Sequence, residues 1–260
     1  MRIQILGAGK MGAFFADALG VEHEVAIHDY RPERLRFTYN CIRMRDPREI
    51  AEFNPEILLN AATLKYTVDA FRQALPYLSP SCILADVASV KTGLKEFYEE
   101  AGHPFVSTHP MFGPTFANLE NLASENAIII TESAHMGKVF FRDLYSSLKL
   151  KIFEYSFDEH DRTIAYSLSI PFASTLVFAA VMKPQEAPGT TFKKHMNIAR
   201  GLLSEDDYLL SEILFNPRTT GQLEQIRQEL ARLVEIIEAH DAAAMKEFLR
   251  VIRQKIVPRS

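Results

Sequence analysis

The chain has 260 residues, 47% of them hydrophobic, with 29 Lys and Arg against 33 Asp and Glu. This is the composition of a folded globular protein, and a net charge of −4 without a long basic run argues against nucleic acid or an anionic membrane as the main partner. Two cysteines, Cys41 and Cys82, are too few for a disulfide framework. We see no stretch approaching the roughly 20 apolar residues of a membrane span, and no secretory signal at the N-terminus. We therefore expect a soluble, cytoplasmic protein.

The first 155 residues alternate short apolar runs, typical of strands, with longer amphipathic segments, typical of helices. Six strands are predicted, over residues 3–6, 25–28, 57–61, 83–86, 105–108 and 127–130. Helical patterns such as 11–19, 66–78 and 91–101 lie between most of them. This alternation predicts an α/β fold in which a parallel, doubly wound sheet carries helices on both faces.

From residue 156 the pattern is helical almost to the end of the chain. Ser156 and Glu159 form a capping-box pattern before one long, mostly apolar helix predicted over 157–182. Further helices are predicted over 191–203, 205–215, 218–239 and 241–256, with Ser204 and Asp241 as N-caps for two of them. We predict two domains, 1–155 and an all-α domain 156–260. We also predict a homodimer through the second, because a helix that is apolar on most faces needs more partners than one chain supplies.

A glycine-rich turn follows the first predicted strand and opens the first helix. It reads Gly7-Ala8-Gly9-Lys10-Met11-Gly12. In a dinucleotide-binding Rossmann domain, Gly7 makes the tight turn, Gly9 admits the pyrophosphate, and Gly12 allows close packing where the helix N-terminus attracts anions. We place Lys10 and Met11 in the same contact. The alternative is a glycine-rich turn in an unrelated α/β fold.

The second predicted strand is followed directly by Asp29, seventeen residues past Gly12. This spacing is near the roughly 20 residues expected for the acid that binds the adenosine ribose. A carboxylate there accepts hydrogen bonds from the ribose hydroxyls and repels a 2′-phosphate, which favours NAD as the cofactor. Arg31 could instead neutralise the 2′-phosphate of NADP, or be a solvated loop residue.

Three later strands lead into polar segments and tight turns at the same predicted edge of the sheet, where ligands bind in open α/β folds. Ala62 and Thr63 follow one strand, Asp86 ends the next and Ser89 follows it; we expect all four to contact the cofactor. His109 follows the third and is a natural proton acceptor near neutral pH, although a structural role is about equally frequent for such a residue. Ser89 could orient it or a substrate hydroxyl, and Lys91 could attract a carboxylate or cap a helix turn. The histidines and cysteines show no metal-ligand spacing.

Three motifs occur in a fixed order along the chain: the glycine loop, Asp86-Val-Ala-Ser89-Val-Lys91, and His109-Pro-Met-Phe-Gly113. Together, and with the helical second half opened by Glu159-His160-Asp161, they resemble the prephenate dehydrogenases and their close relatives, the arogenate dehydrogenases. The resemblance implies NAD-dependent oxidative decarboxylation of prephenate to 4-hydroxyphenylpyruvate, the precursor of tyrosine. It implies His109 as the base, Ser89 as the residue holding the substrate hydroxyl or the imidazole, and Gly113 in the substrate site.

The resemblance also implies cationic groups for the two substrate carboxylates. Family members place an arginine on a helix of the second domain, to which Arg200 corresponds, with Lys193, Lys194 and His195 in reserve. A solvated basic helix face is the alternative. Many relatives read Leu-Pro-His where this chain reads Ile170-Pro171-Phe172. Because Phe172 cannot donate a hydrogen bond, we expect the missing contact from Ser169 or Ser167, and the choice between prephenate and arogenate stays open.

Two further functions stay open at this point. One is a β-hydroxy-acid dehydrogenase that uses Lys193 or Lys194, although the His-Pro-x-x-Gly turn argues against it. The other is a module that senses NAD without catalysis. In a chain of 260 residues we expect neither a regulatory domain nor a fused chorismate mutase, so that any feedback by tyrosine would act within the two domains.

Overall fold

The computed structural model describes residues 1–113 and 122–256. Within these residues the chain forms eight strands, eleven α-helices and three short 3₁₀ helices. The strands are β1 (Arg2–Leu6), β2 (Glu24–His28), β3 (Ile42–Met44), β4 (Ile57–Asn60), β5 (Ile83–Asp86), β6 (Phe105–Pro110), β7 (Asn126–Ile130) and β8 (Lys151–Tyr155). The helices are α1 (Lys10–Leu19), α2 (Glu49–Phe53), α3 (Thr67–Ala74), α4 (Leu94–Ala101), α5 (His135–Ser147), α6 (Phe157–Ser167), α7 (Ser169–Val181), α8 (Thr190–Leu202), α9 (Asp207–Leu214), α10 (Thr219–Glu238) and α11 (Ala242–Ile256).

The eight strands form one sheet in the order β3-β2-β1-β4-β5-β6-β7-β8. Strands β1 to β6 are parallel, β7 pairs antiparallel with β6, and β8 is parallel to β7. The chain passes from β1 to one side of the sheet and later returns to the other side of β1 at β4. This reversal opens a crevice at the carboxyl ends of these two strands, which is where α/β sheets bind ligands.

Apolar cores lie on both faces of the sheet, as a doubly wound fold requires. On one face Phe15 of α1 and Phe141 of α5 pack against strand residues such as Ile5. On the other face Phe71 of α3 and Phe97 of α4 pack against strand residues that include Leu58 and Leu84. The predicted fold class, a Rossmann sheet followed by a helical part, is therefore confirmed.

The sheet differs from the prediction in two strands and one direction. Strands β3 and β8 were not predicted; most of their residues are exposed or half-buried, and such edge strands carry a weak hydrophobic signal. The prediction of a parallel β7 was wrong because a hydrophobic period records burial and carries no information on strand direction.

The single long helix predicted over 157–182 is two helices, α6 and α7, separated at Leu168. Pro171 has no N–H to donate to the carbonyl four residues earlier, so the helical ladder is interrupted there. Ser156 and Glu159 form the predicted capping box at the start of α6. Asp241 caps α11 as predicted, but Asp206 rather than Ser204 caps α9, since its Oδ1 accepts the N–H groups of Tyr208 and Leu209.

By contacts the chain divides into two compact units. The first contains Met1–Thr163 and Asp206–Glu212, and the second contains Ile164–Glu205 and the described residues from Ile213 onward. The predicted boundary after residue 155 coincides with the end of β8, whereas the first unit continues through most of α6 because His160 contacts β6. Residues 257–260 of the predicted second domain lie outside the described residues.

One segment contradicts the expectation that no stretch has the length and apolarity of a membrane span. Phe157–Val181 contains an 18-residue window with a mean hydropathy of 1.8, of which 22% is buried. Hydroxyl residues and a proline punctuate this stretch, but residues 163–180 carry no charge. The core helix of a soluble protein also meets this criterion, so the segment by itself does not indicate a membrane protein.

Candidate functional site

The glycine loop after β1 is shaped by contacts that only glycine tolerates. Gly7 has φ +95°, and a Cβ there would lie 2.8 Å from the Ala61 carbonyl oxygen. A Cβ on Gly12 would lie 1.8 Å from the Gly7 carbonyl oxygen, so this glycine serves close packing of α1 on the loop. A Cβ on Gly9, in contrast, would meet nothing within 4 Å. The open side of Gly9 and the first N–H groups of α1 are what a pyrophosphate requires.

Asp29 lies at the carboxyl end of β2, buried beside the glycine loop. Its Oδ2 accepts a hydrogen bond from the Ala8 N–H (2.7 Å), and its Oδ1 accepts one from the Arg31 N–H (2.8 Å). The Arg34 guanidinium lies 3.9 Å from Oδ2. The carboxylate therefore ties the loop after β1 to the turn after β2 and keeps lone pairs for ribose hydroxyls.

A cleft of about 410 Å³ opens between these elements. This volume is within the range of small-molecule and cofactor pockets. Predicted cofactor residues that line it are Gly7, Gly9, Asp29, Ala62 and Thr63. Its walls also include apolar side chains and several polar groups that the sequence analysis did not select, namely Tyr30, Arg34, Tyr66, Asp69 and Gln73. The residues present fit a dinucleotide, because an open glycine face, a helix N-terminus and an acid at the end of β2 border one cleft.

Six predicted cofactor residues do not line this cleft: Lys10, Met11, Gly12, Arg31, Asp86 and Ser89. The Arg31 guanidinium lies over the Tyr30 ring, 5.0 Å from its centroid, and it is Arg34 that lies beside the Asp29 carboxylate. The spacing could have indicated this, because Pro32 begins a helical turn that returns Arg34 to the strand end.

His109 lies on β6 and is 5% exposed. Its Nδ1 is 3.0 Å from Nε2 of His160 on α6, and His160 Nδ1 is 3.2 Å from Oδ1 of Asp161. Because the pKa values of both imidazoles are lowered, we take both as neutral, and one assignment of protons then satisfies both contacts. If His160 donates from Nδ1 to the carboxylate, its Nε2 accepts from His109 Nδ1, and the lone pair of His109 is then on Nε2.

This chain of groups favours a neutral imidazole at His109. Burial lowers the pKa of His109 well below its usual range, and the nearby His160 and Lys91 lower it further. Burial also lowers the pKa of His160, although the hydrogen bond to Asp161 opposes that shift. A neutral imidazole whose second nitrogen is fixed by a partner is the arrangement of a general base. In the sequence, His160 and Asp161 stand out only within the family motif Glu159-His160-Asp161, and no role at the site was predicted for them.

Asp86 was predicted to contact the cofactor, but the structure turns its carboxylate into the protein. Both the Asp86 and the Lys91 side chains are fully buried, and Lys91 Nζ is 2.5 Å from Asp86 Oδ1. The Tyr98 hydroxyl donates to the other carboxylate oxygen at 2.7 Å. Lys91 therefore neither reaches a substrate carboxylate from this position nor caps a helix turn; it neutralises a buried acid.

Ser89 and Gly113 lie on the segments that flank this network. Ser89 is half-buried, and in the described part of the chain no hydrogen bond joins it to His109. Gly113 is exposed and is the last described residue before 114–121. Their roles toward a substrate stay predictions.

The remaining predicted substrate residues belong to the second unit. Lys193, Lys194, His195 and Arg200 are exposed on α8, where Arg200 lies beside Asn197 (Nη1–Oδ1 3.4 Å). Ser169 differs from its prediction: it is fully buried, its hydroxyl contacts the Ile213 carbonyl and the Thr219 hydroxyl, and it is satisfied within its own unit. The assignment of the four α8 residues to substrate binding stays a prediction.

Comparison with known proteins identifies the nucleotide-binding part of the chain. Residues 34–151 match the family model described as prephenate dehydrogenase, nucleotide-binding domain. A curated relative from Methanocaldococcus jannaschii, named probable arogenate/prephenate dehydrogenase, is 22% identical over 211 residues. The match covers 75% of this chain but 46% of the relative, so the chain spans about half the length of that protein.

Solved structures share the fold over nearly the whole chain. Prephenate dehydrogenase from A. aeolicus, in complex with hydroxyphenyl propionate and NAD+, superposes with a TM-score of 0.84 at 18% identity, covering 98% of this chain and 96% of that one. Synechocystis arogenate dehydrogenase superposes with a TM-score of 0.72 at 20% identity, covering 98% and 97%. The resemblance found in the sequence is thus confirmed: residues 34–151 match the nucleotide-binding domain of the prephenate dehydrogenases, and solved structures of prephenate and arogenate dehydrogenases share the fold of the chain.

Proposed function

We propose that the chain is an NAD-dependent dehydrogenase that converts prephenate to 4-hydroxyphenylpyruvate by oxidative decarboxylation. One observation carries the catalytic part of this proposal: the contacts His109–His160–Asp161, which hold a buried, neutral imidazole with Nε2 as its basic nitrogen. The cleft beside Gly9 and Asp29 supplies the cofactor part, and the Aquifex structure with NAD+ is consistent with it.

The residues of this chain bind the cofactor and move the proton of the substrate hydroxyl. Asp29 accepts hydrogen bonds from the ribose hydroxyls, and the open backbone at Gly9 admits the pyrophosphate. Bound NAD supplies the two-electron oxidant. Nε2 of His109 accepts the proton of the ring hydroxyl as that carbon is oxidised, and returns it to the phenolic oxygen after carbon dioxide has left and the ring is aromatic. His160 and Asp161 hold the imidazole and disperse the charge that it gains.

A direct assay tests this proposal. Purified protein is mixed with NAD and prephenate, absorbance at 340 nm is followed, and 4-hydroxyphenylpyruvate is identified by chromatography. Arogenate and a simple β-hydroxy acid are run as parallel substrates. Reduction with prephenate supports the proposal, while faster turnover of arogenate assigns that substrate instead. Absence of turnover with all three, with NAD binding retained, indicates a sensing module.

We also propose that the protein is a cytoplasmic homodimer through its second unit. The support is the exposed apolar surface of α7, where Val177 is 61% exposed and Val181 is 72% exposed. Surfaces of this kind usually mark an interface. The two cysteines of the described chain are free thiols, which fits a reducing compartment.

A further inference from the structure

A buried polar network lies behind the strand end that carries His109. The Lys91 ammonium contacts two acceptors, Asp86 Oδ1 at 2.5 Å and the backbone carbonyl oxygen of Thr108 at 2.7 Å. The Asp86 carboxylate also accepts hydrogen bonds from the Tyr98 hydroxyl (2.7 Å) and the Ala88 N–H (3.0 Å). Among the described residues, both carboxylate oxygens and two of the three ammonium N–H groups therefore have hydrogen-bond partners, and the ion pair is shielded from water.

Thr108, the residue before His109, is held from more than one direction. Its carbonyl oxygen accepts from Lys91, and its hydroxyl donates to the Asp86 carbonyl oxygen (2.9 Å). The Tyr145 hydroxyl of α5 contacts the same Thr108 hydroxyl at 2.7 Å. These contacts fix the peptide group from which His109 extends.

Stability alone gives little reason for such a pair. Removing a lysine and a carboxylate from water costs several kcal/mol per ion, and apolar replacements of similar volume are often neutral or stabilising. The network contacts the carbonyl oxygen of Thr108. This oxygen belongs to the peptide group that joins Thr108 to the proposed base, His109. This placement indicates a role toward His109.

We propose that Lys91, held by Asp86 and Tyr98, is a positioning residue for His109. Its ammonium fixes the Thr108 carbonyl so that His109 Nδ1 meets His160, and it places a positive charge behind the imidazole. The inference rests on the proposed function of His109 as the base.

The effect of the Lys91 charge on the pKa of His109 has a sign that can be measured. Among the described residues, the charged and titratable groups that act on His109 are His160 on α6 and Lys91, which follows β5. Asp161 and Asp86 lie next to these two groups as their partners. Lys91 lowers the pKa of His109, and although burial lowers the pKa of Lys91 itself, the contact with Asp86 opposes that shift. Of the two charges, only that of Lys91 is among the causes acting on the pKa of His109, so removing the pair is expected to raise this pKa.

Two variants and two controls separate positioning from simple stabilisation. Lys91→Met leaves a buried carboxylate unpaired and risks misfolding, so Lys91→Met/Asp86→Asn provides a neutral pair that Tyr98 and the Ala88 N–H can still satisfy. Tyr145→Phe removes a contact to Thr108 without changing charge, and Lys91→Arg keeps the charge. Thermal unfolding verifies that each variant is folded.

In the folded neutral pair we expect kcat to fall at least tenfold with KM little changed, and the acidic limb of kcat/KM to move to higher pH. NMR titration of the His109 imidazole without substrate is expected to move in the same direction. Tyr145→Phe should change neither the acidic limb of kcat/KM nor the titration of His109. Lys91→Arg keeps the charge and should therefore have an acidic limb close to that of the wild type.

A folded neutral pair with the wild-type imidazole titration and wild-type kcat would overturn the proposal. Failure of the proposed function is recognised separately. If His109→Asn retains turnover while the neutral pair still shifts the imidazole titration, Lys91 acts on His109 as inferred, but His109 is not the base.

Discussion

Replacing His109 by asparagine is expected to lower kcat by about 10²–10⁴, the usual worth of a general base. At about 1.36 kcal/mol for each factor of ten, this adds about 2.7–5.4 kcal/mol to the barrier. Asparagine retains an N–H that can donate to His160 Nε2 in place of the imidazole, so the fold and the binding of NAD and prephenate should stay nearly intact. The assay is reduction of NAD at 340 nm, analysed for kcat and KM, with NAD binding measured by fluorescence.

The pH profile of the wild-type enzyme gives an independent check. The neutral imidazole accepts the proton, and the pKa of His109 is lowered by burial and by its neighbours His160 and Lys91. Activity should therefore hold across pH 7 and fall only below about 6.5, as the pH drops through the lowered pKa. His103→Asn is a matched control, since His103 contacts only the Cys82 carbonyl oxygen among the hydrogen bonds seen for it in the described chain. Near-full turnover of folded His109→Asn, or a loss confined to KM, would refute the assignment.

Four further results are expected. Gly9→Ala should fold normally but bind NAD weakly, because its Cβ enters open space that the pyrophosphate needs. Gly12→Ala should lower the melting temperature sharply, because its Cβ would lie 1.8 Å from a carbonyl oxygen. Wild-type NAD affinity of the Gly9 variant would contradict the cleft assignment. NAD should be used in preference to NADP because of Asp29, and equal kcat/KM for both would mean that Arg34 outweighs the carboxylate. Arg200→Ala should raise KM for prephenate more than it lowers kcat, and an unchanged KM would remove Arg200 from the site. Sedimentation at micromolar concentration should give twice the 29.5 kDa chain mass, and a monomer mass would exclude the dimer.

The parts of the site that follow from local rules were predictable. Glycine spacing and the acid after the second strand indicated the cleft, because a tight turn, a close approach and a ribose contact each require a particular residue at a nearby position. The strand-end rule likewise selected His109. These inferences need only the order of strands and the side on which their carboxyl ends lie.

The parts that depend on distant contacts were not predictable. His160 is 51 residues from His109 in the chain, and no period or spacing connects the two. Asp86 was assigned to the cofactor because it ends a strand, yet the fold supplies Lys91 and Tyr98 as partners and turns the carboxylate inward. The same holds for Ser169, a hydroxyl that the sequence offered to the substrate and that the second unit uses internally.

The two backbone hydrogen bonds to Asp29 have a consequence for the affinity with which a nucleotide binds. Because Ala8 and Arg31 are already held by the carboxylate, the phosphate loop has its binding shape before any ligand arrives. A loop that is ordered in advance loses little conformational entropy on association, so more of the contact energy is expressed as affinity. The same carboxylate would thus have two roles: it orders the glycine loop before a nucleotide binds, and in the proposed function it then accepts hydrogen bonds from the ribose.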